Sequence, residues 1–241
     1  MGYWGFSYSQ PTIAELKAKA EKTIEREAQK GHILHPIILE GRTIAKSWWG
    51  NAWCRNLESY ADFASRIERG RRYVRANCVI DLVIDKGVVT ALVQGSHAKP
   101  YSVEIDINPL PKKTLKAILE NPLSKLSNLE ELVSGRFPEE MEELFRAKGK
   151  GLFPSPKEIS MSCSCPDWAV MCKHVAAVLY AIGAKFDEDP LLFFKLRGID
   201  TADFIQMTVE KRLNRMLGNA DKLSSRVMDA ETDLAEIFGE L

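Results

Sequence analysis

Ser162-Cys-Ser-Cys-Pro-Asp-Trp-Ala-Val-Met-Cys-Lys-His-Val-Ala-Ala-Val178 holds Cys163, Cys165, Cys172 and His174 within twelve residues. The whole chain of 241 residues has only five cysteines and four histidines, so packing needs alone do not account for this concentration. Residues two apart on an extended strand point to one face, so Cys163 and Cys165 can reach a single ion. Inside a helix the same separation turns side chains roughly 200° apart, so Cys172 and His174 must straddle a helix start. The run Val175-Ala-Ala-Val-Leu-Tyr-Ala-Ile-Gly183 supplies that helix, with Gly183 as the expected stop. The predicted order is strand, turn at Pro166-Asp167, ligands, helix. Three thiolates and one imidazole complete a closed tetrahedron, which predicts one structural Zn²⁺ with no position left for a reactive water. Such a site carries about one net negative charge, which Lys173 and the helix N-terminus offset in part.

Bulk properties set the class. A hydrophobic fraction of 45% and a charged fraction of 27% are ordinary for a globular chain. No run approaches the roughly 18 apolar residues that cross a bilayer, and Met1-Gly-Tyr-Trp-Gly-Phe6 has no secretory pattern. Few cysteines, three of them in a metal pattern, point to the reducing cytoplasm and leave Cys54 and Cys78 as buried free thiols. The net charge is zero, but residues 1–120 carry 18 Lys and Arg against 13 Asp and Glu, and residues 121–241 carry 15 against 20.

Periodicity outlines an α+β protein: N-terminal helices packed on a small antiparallel sheet, a ββα-like zinc finger and a helical C-terminal region. A helix over 11–30 would pack through Ile13, Leu16, Ala20 and Ile24, and Pro36–Gly41 reads as a short strand. A second helix is expected from Ser47 to Arg66, with Trp49, Trp53, Leu57, Tyr60 and Ala64 on one face. Alternation from Arg72 to Ile84 puts Val74, Ala76, Cys78, Ile80, Leu82 and Ile84 together. With Val88–Gln94 and Tyr101–Ile107 it forms a meander, turning at Asp85-Lys-Gly87. Short helices follow at 112–120, 128–134 and 138–147, then at 190–196, 201–217 and 220–238 after the finger. The resulting division is 1–110, α+β domain; 111–155, helical linker region; 156–185, finger; 186–241, helical C-terminal region.

The words Ser162-Cys-Ser-Cys-Pro-Asp-Trp168 and Cys172-Lys-His-Val-Ala-Ala-Val178 resemble the SWIM zinc finger, whose pattern is C-x-C-x(n)-C-x-H. Trp48-Trp-Gly-Asn-Ala-Trp53, Leu57-Glu-Ser-Tyr60, Arg69-Gly-Arg-Arg-Tyr-Val-Arg75, Val93-Gln-Gly-Ser96 and Leu196-Arg-Gly198 extend the likeness. Together they are similar to prokaryotic SWIM proteins found alongside Snf2-type helicases. The resemblance implies zinc binding, and nucleic-acid or protein binding as accessory to a Snf2-type ATPase.

Two further groups could contact a partner. On the expected strand, Arg71, Tyr73 and Arg75 share the polar face, and with Arg69, Arg72 and Lys173 they form a candidate nucleic-acid surface. The competing expectation pairs these arginines with Glu104 or Asp106 across the sheet. Trp168, between the ligand pairs, is expected to cover the metal, with a stacking or partner surface as the alternative. No phosphate-binding glycine loop or Gly-x-Ser-x-Gly elbow occurs, so no catalytic residue is assigned. The function expected is a non-catalytic zinc protein that binds DNA, with single strands or junctions as candidate forms, as accessory to the Snf2-type ATPase that the resemblance implies; the alternative is a zinc-stapled protein-interaction adaptor without nucleic-acid contact.

Overall fold

Alternating burial from Val79 to Ile107 builds the first three strands, β1 (Val79–Asp85), β2 (Val88–Val93) and β3 (Tyr101–Ile107). Gly87, at φ 74°, makes the tight turn between β1 and β2. A fourth strand, β4 (Ile159–Cys163), returns from far along the chain and pairs antiparallel with β3, matching Val103 with Cys163 and Glu104 with Ser162. The sheet order is β1-β2-β3-β4 throughout. Leu82, Ile84, Val89, Ala91, Val103, Ile105 and Ile107 are buried. The opposite face carries Asp81, Asp85, Thr90, Ser102, Glu104, Asp106, Ser160 and Ser162. That face is acidic, with no lysine or arginine among its strand residues.

Among the described residues the helices with defined bounds are α1 (Ile13–Gln29), α2 (Trp48–Glu58), α3 (Ala64–Arg75), α4 (Lys112–Glu120), α5 (Glu142–Arg146), α6 (Lys173–Glu188) and α7 (Leu192–Leu196). Thr12 caps α1 in a reciprocal box with Glu15. Ser47 caps α2, its hydroxyl accepting from the Gly50 N–H at 3.0 Å. Helix α6 is apolar on every side from Val175 to Ala184, as a helix enclosed in a core must be. It lies between α2, α3 and the sheet. Phe145 of α5 meets Trp48, Phe153 and Phe193 at ring separations of 5.5, 5.4 and 5.3 Å. The segments before and after the zinc motif therefore share one aromatic cluster with α2. The computed structural model describes residues 11–59, 64–120, 142–147 and 151–200, with isolated positions at 131, 136 and 139 and between 202 and 217. The helices expected at 128–134, 201–217 and 220–238 lie wholly or mostly outside those residues. Among the described residues no helix is long and apolar enough to cross a membrane.

The α+β class holds, but four local expectations do not. The helix expected over 47–66 ends at Glu58, and α3 continues to Arg75, so residues 72–75 are helical rather than strand. The chain leaves α3 through Asn77 at φ 53°, a left-handed conformation that asparagine tolerates at a helix end. The buried Asn77 side chain accepts from the Leu39 N–H at 3.0 Å, which closes the turn. Residues 36–41 form no assigned strand; Ile37 N–H donates to the Val79 carbonyl at 3.0 Å and lays an extended segment on the edge of β1. Gly183 does not stop α6, which runs on to Glu188.

Candidate metal centre and the basic cleft beside it

Cys163 ends β4, Cys165 follows in the turn, and Cys172 and His174 open α6, as the spacing requires. Cys172 is the N-cap residue, extended at φ −73° and ψ 170°, and its sulfur accepts from the Val175 N–H at 3.5 Å. His174 Nδ1 stands 3.8 Å from Cys163 Sγ and 3.9 Å from Cys172 Sγ. Ligand atoms of all four residues lie within 4.8 Å of one another. A tetrahedral zinc with bonds of about 2.3 Å to sulfur and 2.0 Å to nitrogen needs ligand separations of about 3.5–3.8 Å. The donor set and spacing therefore fit one zinc ion, held through three sulfurs and Nδ1.

The thiols favour a cation electrostatically. Hydrogen bonding to the Cys172 thiolate, then burial, raises Cys163; burial raises Cys165. Cys172 is held well below the ordinary thiol value, first by the Cys163 hydrogen bond and then by those of His174 and the Val175 N–H. One thiolate thus suppresses the next, and a divalent ion allows all three to ionise.

The imidazole is fixed by packing that the sequence did not announce. It stacks on Tyr101 at 4.4 Å and meets the edge of Tyr73 at 5.4 Å. A Cβ on Gly95 would come within 2.5 Å of the Tyr101 ring and 3.2 Å of His174 Nε2. Gly95 thereby leaves room for the His174–Tyr101 stack. Beside it, buried Gln94 accepts from the Thr23 hydroxyl at 2.9 Å and donates to the His97 carbonyl at 2.8 Å, tying α1 to the same loop.

The six candidate nucleic-acid residues separate. Arg69 and Arg72 of α3, Lys173 at the start of α6, Tyr73, Ser96, Leu16 and Pro11 line a cavity of about 250 Å³. Arg69 is exposed, Arg72 donates to the Pro11 carbonyl, and the Lys173 ammonium lies 5.6 Å from the Tyr73 ring centre. Arg71 instead pairs with Glu58, which also accepts from the Tyr180 hydroxyl at 2.6 Å, and its guanidinium lies 5.5 Å from the Tyr180 ring. Arg75 donates to the Arg42 carbonyl at 2.9 Å. Tyr73 is only 6% exposed and supports His174 from within the core. The strand-face strip of Arg71, Tyr73 and Arg75 is therefore corrected: a helix sends these side chains in different directions. The partner of Arg71 is Glu58, not Glu104 or Asp106. Spacing did carry a usable signal, since Arg66, Arg69, Arg72 and Arg75 recur every third residue, a helical interval.

Trp168 does not cover the metal. It is 84% exposed on the loop between the ligand pairs, beside Val170 at 68%. Asp167 holds that loop to α3 through Arg66 at 3.0 Å.

Comparison with known proteins agrees with this centre. Residues 158–183 match the SWIM zinc finger family. The chain is 40% identical over 180 residues to a protein of Mycobacterium tuberculosis, "Uncharacterized protein Rv2102", the matched region covering 74% of this chain and 64% of the relative. This chain thus spans less than two thirds of that relative's length. No solved structure matches it.

Proposed function

We propose that this protein binds DNA through the basic cleft beside its zinc centre, as a non-catalytic accessory factor. The observation that carries this reading is the convergence of Arg69, Arg72 and Lys173 on one cavity of about 250 Å³, with no carboxylate among its described lining residues. Glu15 interacts electrostatically with Arg72, but it is engaged in capping α1 and stands outside that lining. Three cations lining one cavity with Ser96 suit a phosphodiester, whose negative charge is the sequence-independent part of nucleic-acid recognition. The acidic outer face of the sheet repels such a ligand and leaves the α3–α6 side as the side to bind it. Bound by Cys163, Cys165, Cys172 and His174, zinc would act structurally, holding Lys173 against α3 by tying Cys172 and His174 to β4.

Accessory action on a Snf2-type ATPase belongs to the same proposal and rests on the resemblance of the sequence words alone. A rise in DNA-stimulated ATP hydrolysis by such an enzyme would support it, and no rise would remove that part.

DNA binding is tested by anisotropy of a labelled oligonucleotide across a salt series. Arg69→Ala and Lys173→Ala are each expected to weaken binding whatever the base sequence. Each should flatten the slope of log K against log salt by up to about one unit, because a phosphate contact releases roughly one counterion. An adaptor working through protein contacts alone gives no salt-dependent binding to begin with.

A further inference from the structure

We infer that the ligand of the basic cleft is single-stranded and that the Trp168 indole stacks on one of its bases; this rests on the nucleic-acid reading above. A single exposed apolar residue is common and calls for no explanation by itself. What distinguishes Trp168 is its mounting. The loop from Pro166 to Met171 is bounded by Cys165 and Cys172, both in the same metal cluster. Within it Asp167 accepts from Arg66 Nη2 at 3.0 Å and from the Ala169 N–H at 3.3 Å. An 84% exposed indole is thus held on a loop fixed at both ends and braced in the middle. Little ordering is left to oppose a stacking contact.

The same brace sets its position relative to the cations. Arg66, Arg69 and Arg72 follow at intervals of three along α3, a rise of roughly 9 Å from first to last. Arg66 anchors the Trp168 loop, whereas Arg69 and Arg72 line the cleft. Lys173, the third lysine or arginine of the cleft, directly follows the ligand Cys172. The Trp168 loop and a cationic recess of about 250 Å³ are therefore both mounted on α3, through Arg66 and through Arg69 and Arg72.

A duplex offers phosphates to such a surface but keeps its base faces stacked inside the helix. An unpaired strand offers both, and aromatic stacking beside a positive groove is how proteins hold single strands without base preference. An acidic peptide would satisfy the cations but gives the indole no base to stack on.

The test uses the zinc-loaded chain with a labelled oligothymidine of about twelve nucleotides and a duplex of the same length. Wild type is expected to prefer the single strand. Trp168→Ala should cost about tenfold or more of single-strand affinity, leave duplex affinity unchanged, and keep the wild-type salt slope, because stacking is not ionic. Trp168→Phe should recover most of the loss, and zinc content and melting temperature should not change in either variant. If Trp168→Ala binds like wild type, or weakens both ligands equally, while Arg69→Ala still flattens the salt slope, stacking is refuted and the cleft reading stands. If wild type binds neither ligand, the cleft reading itself falls and this inference with it.

Discussion

Gly50 and Gly183 face each other where α2 crosses α6. A methyl group on Gly50 would stand 2.7 Å from the Gly183 carbonyl oxygen and 2.6 Å from Asp187 Oδ1. One on Gly183 would stand 2.7 Å from Cys54 Sγ and 3.1 Å from the Gly50 carbonyl. The close crossing lets Trp53 Nε1 donate to the Leu179 carbonyl at 2.9 Å and Trp49 Nε1 to that of Phe186 at 3.1 Å. The contact has an opposite sign to local propensity. Alanine in place of a mid-helix glycine favours the helix by about 1 kcal/mol, but overpacking a close crossing costs about 1–3 kcal/mol. Gly183→Ala should therefore lower stability in a urea titration. A variant as stable as wild type would show that the helices do not approach this closely.

That glycine also marks how far the sequence could be followed. Ligand spacing was sufficient for the metal centre, because strand and helix geometry leave few ways for Cys-x-Cys and Cys-x-His to meet one ion. Gly183 was misread because a stop and a close helix crossing both demand a missing side chain, and only the partner helix tells them apart. Val74, Ala76 and Cys78 looked like the start of β1 because they continue its alternation. They are buried instead at the end of α3 and in the turn after it, where Cys78 N–H donates to the Tyr73 carbonyl at 3.1 Å. The pairing of β4 with β3 joins residues some sixty positions apart, and no local pattern encodes it. Likewise Tyr101 and Gly95 give no sign in sequence of surrounding His174.

Metal removal should affect more than the finger. β4 is a sheet strand and α6 occupies the core, so losing the ion loosens an edge strand and a central helix together. Cys172→Ser is expected to abolish stoichiometric zinc, measured by elemental analysis as one ion per chain in wild type. It should also lower the midpoint of the whole unfolding transition, and chelation of wild type should do the same. A melt unchanged after complete zinc removal would refute the structural role.

Cys54 and Cys78 should remain inert in the native protein. Burial pushes both thiols up to about 12, with the Glu58 and Asp187 charges adding to the rise at Cys54. A thiol reagent at pH 8 should modify neither before unfolding, and either alanine variant should lose only about 1–2 kcal/mol. Rapid labelling of Cys54 in folded protein would place it in an accessible, activated setting instead.

Arg71 and Arg69 should separate stability from binding. Arg71→Ala removes the ion pair with Glu58 and the contact over Tyr180, so a loss of about 0.5–1 kcal/mol is expected, with oligonucleotide affinity retained. Weakened binding at unchanged stability would mean that Arg71 belongs to the ligand surface after all.

The last prediction concerns Arg197, only 1% exposed, which joins three parts of the chain. Its Nη1 donates to the Asn108 carbonyl at 2.6 Å, its Nη2 to Glu158 Oε1 at 2.8 Å, and its own carbonyl accepts from the Leu110 N–H at 2.8 Å. The clamp thus holds the segment after α7 to the end of β3 and the turn before β4. Burial raises the Glu158 carboxyl, but hydrogen bonds from the Ser155 N–H, Arg197 and the Ser155 hydroxyl outweigh it, and the net shift is downward. A carboxyl that titrates lower when folded contributes its full stability above the ordinary glutamate value of 4.5, and that contribution is lost as the pH falls through the lowered one. Stability measured from pH 7 downward should therefore decline on the acid side, and Glu158→Gln should shrink the decline. Arg197→Ala should cost about 3 kcal/mol, since it removes the donor to the Asn108 carbonyl and leaves Glu158 with only its Ser155 hydrogen bonds and no cation. Arg197→Lys should fall between the two, because an ammonium lacks the planar fork that spans both acceptors. Equal stability of all these variants at pH 7 would show that the clamp contributes nothing.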